Sequence, residues 1–437
     1  MLRDFMEGER AVKSRDDGEK YLPRLDGQSD DNYRAYRDRT KFFPATFRTL
    51  DALLGLLFRQ DPVNRLTPAI DAEWKHDVDR RGTSLKIFQK QAAEEVLSIG
   101  RAGVLVDVMP GSDEPHLVLY SAEHIIDWIT DRGKLVSVTL WESADHYRVL
   151  SLIDGQYWQT ILHADDDGSV TVVNEIQPLR AGQPLDRLPF FPLGWRDNDI
   201  EIDKPPLIDL CWLNLHHYQM SAPYANANFI IGVPQPYGTG YAPPMPEGSD
   251  GPPKIFIALS SEEMPFFEDA EARLRYLEHN GTGLGHLRDM LRDIKDEMAT
   301  IGVRMLAQER LPQETATSAR IHRMSEISVL SGISRNLSDA FTRILDMVTW
   351  WIQDAGSNES ILGTEFFPVQ HTADDLLKFA ELYRDGAITF EEFHRKLIEA
   401  DVRSAEMTVE QALTEAGVQE TTAAADTGGA GEVTENE

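Results

Sequence analysis

A glycine-rich run at residues 280–287 (NGTGLGHL) has the composition of a phosphate-binding loop, with Gly281, Gly283 and Gly285 ahead of a helical stretch. Such a loop binds phosphate when it follows a strand, because its backbone N–H groups then converge on the ligand at a helix start. In this chain a charged segment of helical character precedes the glycines. We therefore expect a flexible joint between two helices here rather than a nucleotide site.

Residues 381–393 (ELYRDGAITFEEF) imitate the second half of a calcium-binding EF-hand loop. Gly386, Ile388 and Glu392 stand at the right offsets, but Tyr383 occupies the third position, where an oxygen ligand is needed. A tight helix–turn–helix in which Gly386 ends the first helix explains the same residues. We predict that arrangement rather than a calcium site.

Two further groups of potential metal ligands have a simpler interpretation. His216 and His217 are adjacent on a predicted helix and point in different directions, whereas metal-binding pairs on a helix stand four residues apart. Residues 163–168 (HADDDG) are interpreted as a hairpin turn with solvated carboxylates. The chain also lacks a Gly-x-Ser-x-Gly elbow, a Walker loop and a CxxC pair. We expect no enzyme, no cofactor and no bound metal.

The composition restricts the class of protein and its partners. The 437 residues carry a formal net charge of −30. This charge disfavours a surface built to bind phosphate, since nucleic-acid affinity comes largely from Lys and Arg. A single cysteine, Cys211, excludes an intramolecular disulfide and favours a reducing compartment. The longest apolar run, residues 50–58, is far shorter than the ~20 residues of a membrane span, so no membrane partner is expected.

Hydrophobic periodicity predicts an α+β fold with segregated elements. Helical patterns cover the chain to about residue 103, and short β-branched runs separated by turn residues predict an antiparallel meander over 104–175. Asp154-Gly155 is predicted to form a tight hairpin turn, and residues 176–205 to form a connection. The first long helix is predicted to bury one apolar face formed by Phe47, Leu50, Leu54 and Leu57.

A second helical region begins near residue 206 and extends to 230, with Pro223 expected to kink or end it. Residues 232–254 are dense in Gly and Pro, which excludes a helix or a central strand and predicts a long exposed loop or a small irregular module. One or two strands are predicted at 255–267, and a short helical lead-in at 268–280 (EDAEARLRYLEHN).

Residues 283–309 show the clearest periodicity in the chain. Apolar residues recur at steps of 3, 4, 3, 4, 3 and 4, which is the heptad pattern of a helix packed against other helices. We call these residues the seam: Leu284, Leu287, Leu291, Ile294, Met298, Ile301 and Met305. Because a charge buried there would have no partner, Ile294→Asp is expected to prevent assembly through the seam.

A second long helix is predicted after a break at Pro312, which cannot donate a hydrogen bond to the preceding turn. Beyond Gly356 two short helices are predicted, the second opened by a capping box formed by Thr389 and Glu392. The last residues, 415–437, are small and acidic and are predicted to be disordered.

Three stretches, in this order, resemble the portal proteins of tailed bacteriophages, in a branch usually catalogued as an uncharacterised phage family. They are residues 21–62, residues 207–234, and the seam helix that runs into residues 313–321 (QETATSARI). The resemblance covers roughly residues 15–400, and its most specific part is Glu314-Thr315-Ala316-Thr317 after a heptad-like helix. It implies a ring, usually of twelve subunits, at one capsid vertex.

The resemblance also implies the order of the domains. The expected segments are a wing (1–205), a first stem helix (206–230), a clip (231–282), a second stem helix (283–309), a tunnel loop (310–315), a long wing helix (316–356), crown helices (357–414) and an acidic tail (415–437).

Further expectations concern partners. The ring implied by the resemblance conducts double-stranded DNA without sequence specificity and binds the terminase large subunit, head–tail connector proteins, the scaffold and the major capsid protein. The virion is the expected location, with the host cytoplasm during assembly. The seam is the candidate subunit contact. The candidate channel and tunnel-loop residues are Arg288, Arg292, Arg310, Gln313, Glu314 and Thr315.

Two other classes of function stay open from the sequence. The seam also suits a coiled-coil scaffold or adaptor protein, which would form a dimer. Ser, His and Asp are common enough that an enzyme with a dispersed site is the second alternative.

Overall fold

The computed structural model describes residues 1–109, 114–165, 167–232, 235–239, 273–277, 282–303, 316–363, 366, 373–399, 402, 407 and 411. The chain folds into two compact units. The first unit comprises Met1–Ala52 and Lys204–Arg323, and the second comprises Leu53–Asp203 and Met324–Glu437.

Helices occur in both units. Within the described residues they are α1 (Leu2–Glu7), α2 (Glu9–Ser14), α3 (Asp30–Arg39), α4 (Ala45–Leu57), α5 (Pro68–Asp71), α6 (Leu85–Ile99), α7 (Ile208–Gly232), α8 (Thr282–Val303), α9 (Ala316–Trp351), α10 (Ala373–Arg384) and α11 (Phe390–Glu399). Short 3₁₀ turns lie at Arg15–Gly18, Trp74–His76 and Ala122–His124.

The strands form antiparallel sheets. Those of the described residues are β1 (Val63–Arg65), β2 (Arg101–Val108), β3 (Pro115–Ser121), β4 (Ile125–Asp131), β5 (Lys134–Ser143), β6 (His146–Ile153), β7 (Gln156–Ala164), β8 (Val170–Ile176), β9 (Leu179–Arg180), β10 (Gln183–Pro184), β11 (Phe190–Gly194), β12 (Gln235–Thr239), β13 (Arg273–Leu277) and β14 (Glu359–Ile361). The mixture of helix and sheet confirms the α+β class.

The first unit packs its N-terminal helices against α7. Phe5 lies at the centre of an aromatic cluster, edge-on to Tyr21 at 5.3 Å and to Phe42 at 5.1 Å between ring centroids. Phe42 in turn contacts Tyr218 of α7 at 5.8 Å. Edge-to-face pairs of this kind contribute stability beyond the area they bury, so the cluster joins α1 firmly to α7.

The predicted meander is divided between two sheets of the second unit. Its last three runs are β5, β6 and β7 of a five-stranded sheet, ordered β4-β5-β6-β7-β8, whereas its first two runs are β2 and β3 of another sheet. Ile153 pairs with Gln156 across the two-residue turn Asp154-Gly155, whose φ angles of 51° and 77° fit a type I′ hairpin. The predicted turn is therefore confirmed. The outer strands β4 and β8 were not among the runs recognised in the sequence, because an edge strand exposed on both faces shows weak alternation.

A three-stranded sheet, ordered β11-β2-β3, lies in the same unit. Its edge strand β11 falls inside residues 176–205, so the prediction of a plain connection there is wrong. Phe190 of β11 lies over Gly103 of β2, and a Cβ atom at residue 103 would come within 2.2 Å of the Phe190 ring. The pairing depends on this contact between distant segments, which local sequence patterns do not reveal.

The long helix α9 forms much of the core of the second unit. Leu337, Phe341 and Val348 are fully buried, and Phe341 meets Phe88 of α6 edge-on at 6.5 Å. Helix α6 ends at Gly100, whose φ of 99° is left-handed. Strand β14, in the segment where only crown helices were expected, pairs with β1, and Ser360 accepts a hydrogen bond from Gln89.

Several local predictions need correction. Pro223 lies inside α7 and does not end it. Gln235–Thr239 is a strand despite its Gly and Pro, because a two-stranded ribbon has only edge strands and an edge tolerates proline. Its partner Arg273–Leu277 replaces the predicted helical lead-in. Phe47 is exposed, while Leu50, Leu54 and Leu57 are buried as predicted.

The capping box that opens α11 is confirmed. The backbone N–H of Thr389 donates to the Glu392 carboxylate at 3.0 Å, and the N–H of Glu392 donates to the Thr389 hydroxyl at 3.2 Å. Residues 255–267, the tunnel loop 310–315 with Pro312, and the tail 415–437 lie outside the described residues. Among the helices that are described, none combines the length and apolarity that crossing a membrane requires.

Candidate functional site

The seam helix α8 packs along α7 in the first unit, and its apolar residues fall into two groups. Ile294 and Met298 are 6% and 3% exposed, so the middle of the seam is already covered within the subunit. Leu284, Leu287 and Leu291 are half-buried. Ile301 is 42% exposed, and Met305 lies outside the described residues. Much of the seam therefore retains apolar surface on the isolated subunit.

The opposite face of α8 is charged and exposed. Arg288 lies 3.6 Å from Asp289, and Arg292 is also exposed. The other candidate channel residues, Arg310, Gln313, Glu314 and Thr315, lie outside the described residues. Helix α8 is thus amphipathic, with an apolar side toward α7 and a side of mixed charge toward solvent.

Asn214 of α7 holds the start of α4 and was not recognised in the sequence. Its side-chain Oδ1 accepts from the Thr46 N–H at 3.2 Å and from the Thr46 hydroxyl at 3.0 Å, and its Nδ2 donates to the Phe43 carbonyl at 2.7 Å. Asn214 therefore supplies hydrogen-bond partners to backbone groups at the start of α4, from a helix that is distant in the sequence. The sequence signal that could have identified Asn214 was its position as a polar residue in the buried stripe between Leu210 and His217.

His217 is a buried imidazole between α7 and α8. It is 5% exposed and its ring centroid lies 6.0 Å from that of Phe43. Within the described part of the chain, neither of its ring nitrogens has a hydrogen-bond partner. Burial, with smaller effects from the positive charge of Lys295 and from His216, lowers the pKa of His217 to about 4. The side chain is therefore neutral in the folded protein at pH 7.

The free energy of unfolding is expected to fall as the pH is lowered from 7.5 to 4.5. In this window the unfolded state protonates His217 near its ordinary pKa of 6.5, while the folded state does not. The loss should be on the order of 2–3 kcal/mol. Urea unfolding followed by circular dichroism measures it, and His217→Gln should flatten the dependence over this interval. An unchanged slope in the variant would assign the pH dependence to other groups.

The remaining candidates for chemistry do not form a conventional site. In the described part of the chain, no group of three or more His, Cys, Asp or Glu side chains is placed to hold a metal ion. Gly386 has φ 72° and follows α10, consistent with the predicted helix–turn–helix. Gly283 and Gly285 lie within the first turn of α8, while Gly281 is outside the described residues.

Comparisons with known proteins give a partial match. Residues 206–352, which contain α7, α8 and α9, match a domain of unknown function (DUF4055). A search of curated proteins gave no significant match.

Three solved structures similar to the chain come from gene transfer agent particles. The virion of a native gene transfer agent particle is 11% identical, with a TM-score of 0.39, over 84% of this chain and 92% of the other chain. The neck of an empty particle, computed with C6 symmetry, is 10% identical, with a TM-score of 0.42, over 84% of this chain and 92% of the other. The neck of a native particle, computed with C12 symmetry, is 10% identical, with a TM-score of 0.38, over 82% of this chain and 89% of the other.

Proposed function

We propose that the chain is a structural, non-catalytic subunit of a phage head–tail connector, and specifically a portal protein. In this proposal it assembles into a ring of about twelve copies at one capsid vertex, the number being that of the family it resembles. The observation that carries the proposal is the seam of α8, whose middle is buried against α7 while its two ends keep apolar surface for another subunit.

The order of elements supports the same proposal. A long helix (α7) leads into a β-ribbon (β12 and β13), followed by the seam helix α8 and the 36-residue helix α9. This order suits the stem, clip, stem and long-helix arrangement that the resemblance implies. The proposed tunnel loop is residues 310–315, and the proposed crown contains α10 and α11.

The proposed partners follow from the ring. Double-stranded DNA passes through the channel, and Arg288 and Arg292 are the described basic residues assigned to touch its backbone. An acidic protein limits such contacts, because phosphate affinity rises with each Lys or Arg that neutralises a phosphate. The terminase large subunit, head–tail connector proteins, the scaffold and the major capsid protein bind the ring, which is located in the virion and assembles in the host cytoplasm.

Native mass spectrometry and negative-stain microscopy of the purified protein, and of particles from infected cells, test this proposal. Rings of uniform subunit number are the expected result. A stable dimer by light scattering would favour the coiled-coil scaffold, and a monomer with no ring in infected cells would count against both oligomeric proposals.

Ile301→Asp is expected to reduce the ring fraction at least tenfold while leaving the subunit folded. Ile301 is exposed on the isolated subunit, so the charge costs little there and becomes buried only on assembly. Analytical ultracentrifugation gives the ring fraction, and thermal unfolding of the subunit gives its stability. The matched control is Ala299→Asp, which adds the same charge at an exposed position of α8 outside the seam.

Ile294→Asp, the variant suggested by the sequence, is a poorer test. Ile294 is buried within the subunit, so an aspartate there would destabilise the subunit itself. Normal rings from Ile301→Asp would exclude this part of the seam from the subunit contact.

A further inference from the structure

Two histidines face each other on the five-stranded sheet of the second unit. His146 of β6 and His163 of β7 are directly opposite in the strand register, so both side chains lie on the same face. Their ring centroids are 4.9 Å apart and their planes are inclined by 53°. The pair lies near the end of the β6–β7 hairpin remote from the Asp154-Gly155 turn, and the proposed portal function makes no use of it.

Each ring has one nitrogen engaged by a neighbour. The Nε2 atom of His163 lies 3.4 Å from Oδ1 of Asp165, and the Nδ1 atom of His146 lies 3.5 Å from the Ser143 hydroxyl. The other nitrogen of His163, Nδ1, is buried and has no hydrogen-bond partner among the described residues. A carboxylate on one imidazole nitrogen, with the second nitrogen unpartnered, is the arrangement found around histidines that bind metal.

The spacing of the rings also fits a shared metal ion. A zinc–nitrogen bond of about 2.0–2.1 Å places an imidazole centroid about 3.2 Å from the metal. Two such rings have centroids about 4.5 Å apart at a right angle and about 5.2 Å apart at the tetrahedral angle. The observed 4.9 Å lies between these two values.

We propose that His146 and His163 form a two-imidazole site for a divalent transition metal such as Zn²⁺ or Ni²⁺. His163 binds through Nδ1 and His146 through Nε2, with Asp165 and Ser143 holding the opposite nitrogens. Water fills the remaining coordination positions, since the structure places no third protein ligand in a group with this pair among the described residues. The metal cross-links β6 to β7 and stabilises the folded state by binding to it alone.

Titration of the full chain with ZnCl₂, and separately with NiCl₂, by calorimetry at pH 7.5 tests the site. The expected result is one saturable event that His163→Gln and His146→Gln each weaken at least tenfold, because a single imidazole cannot chelate. Asp165→Asn should weaken binding by a smaller factor, since it only positions His163. The matched control His124→Gln, which removes a half-buried imidazole stacked on Trp141 in the same unit, should leave the affinity unchanged.

Two further readouts separate this site from other histidines. Zn²⁺ should raise the unfolding temperature of the wild type and of His124→Gln but not of either pair variant. Binding should weaken in acid, because protons compete with the metal for the imidazole nitrogens. The absence of saturable binding, or equal affinity in the wild type and both pair variants, would overturn the proposal. Because His146 is exposed, His146→Gln should stay folded and keeps the test valid if His163→Gln unfolds.

Discussion

Replacement of Asn214 by leucine is expected to lower the free energy of unfolding by about 4 kcal/mol. The leucine fills the volume of the amide but cannot replace its hydrogen bonds to the Thr46 N–H and the Phe43 carbonyl. Each buried backbone group left unpaired costs about 1–3 kcal/mol. Since Asn214 is fully buried, water cannot compensate without opening the contact between α7 and the start of α4.

Urea denaturation followed by circular dichroism measures this loss. Asn228→Leu is the matched control, because Asn228 lies on the same helix, is exposed, and donates to the Tyr224 carbonyl one turn earlier. It should change the stability by less than about 0.5 kcal/mol. A similar small effect for Asn214→Leu would mean that the amide does not hold the start of α4.

Replacement of Arg148 by methionine is expected to cost about 3 kcal/mol. Arg148 of β6 lies between two carboxylates. Its Nη1 donates a hydrogen bond to Asp107 Oδ2 at 2.5 Å. Its Nε lies 2.7 Å from Glu142 Oε1 and forms an ion pair there, but the angle does not allow a hydrogen bond. Burial alone would lower the pKa of Arg148, but Tyr120 and the two carboxylates raise it. Removing one partner of a largely buried pair leaves the other charges uncompensated.

The control for this variant is Arg65→Met, which breaks the exposed ion pair of Arg65 with Glu359. Exposed pairs contribute about 0–1 kcal/mol, so the same substitution should have little effect there. Adding Glu142→Gln to Arg148→Met should restore part of the lost stability, because one of the two unpaired charges is removed. If Arg148→Met costs no more than Arg65→Met, the network does not stabilise the fold.

The two networks show why contacts between distant residues are harder to predict from the sequence than local structure. Asn214 and Arg148 act on residues 168 and 41 positions away, so neither partner can be identified from local spacing. A polar residue in a buried stripe signals that a partner exists and leaves its identity open. The seam is a similar case, because its heptad spacing predicts an apolar face without specifying how much of that face another part of the same chain covers.

The elements whose cause is local could be predicted from the amino-acid sequence. Helix α6 with its glycine stop, the Asp154-Gly155 hairpin, and the capping box of Thr389 and Glu392 follow from periodicity, backbone freedom and hydrogen bonds within a few residues. The α+β class follows from the same patterns, because the choice between helix and strand depends mainly on where apolar side chains recur.

The tertiary structure alone decided the pairings between distant segments. Strand β11 joins β2, β14 joins β1, and α7 covers Ile294 and Met298 while Ile301 stays exposed. The physical reason is that burial and strand pairing are properties of two surfaces in contact. A short segment such as Phe190–Gly194 becomes a strand because a complementary edge is available to it, and its own residues do not specify where that edge lies.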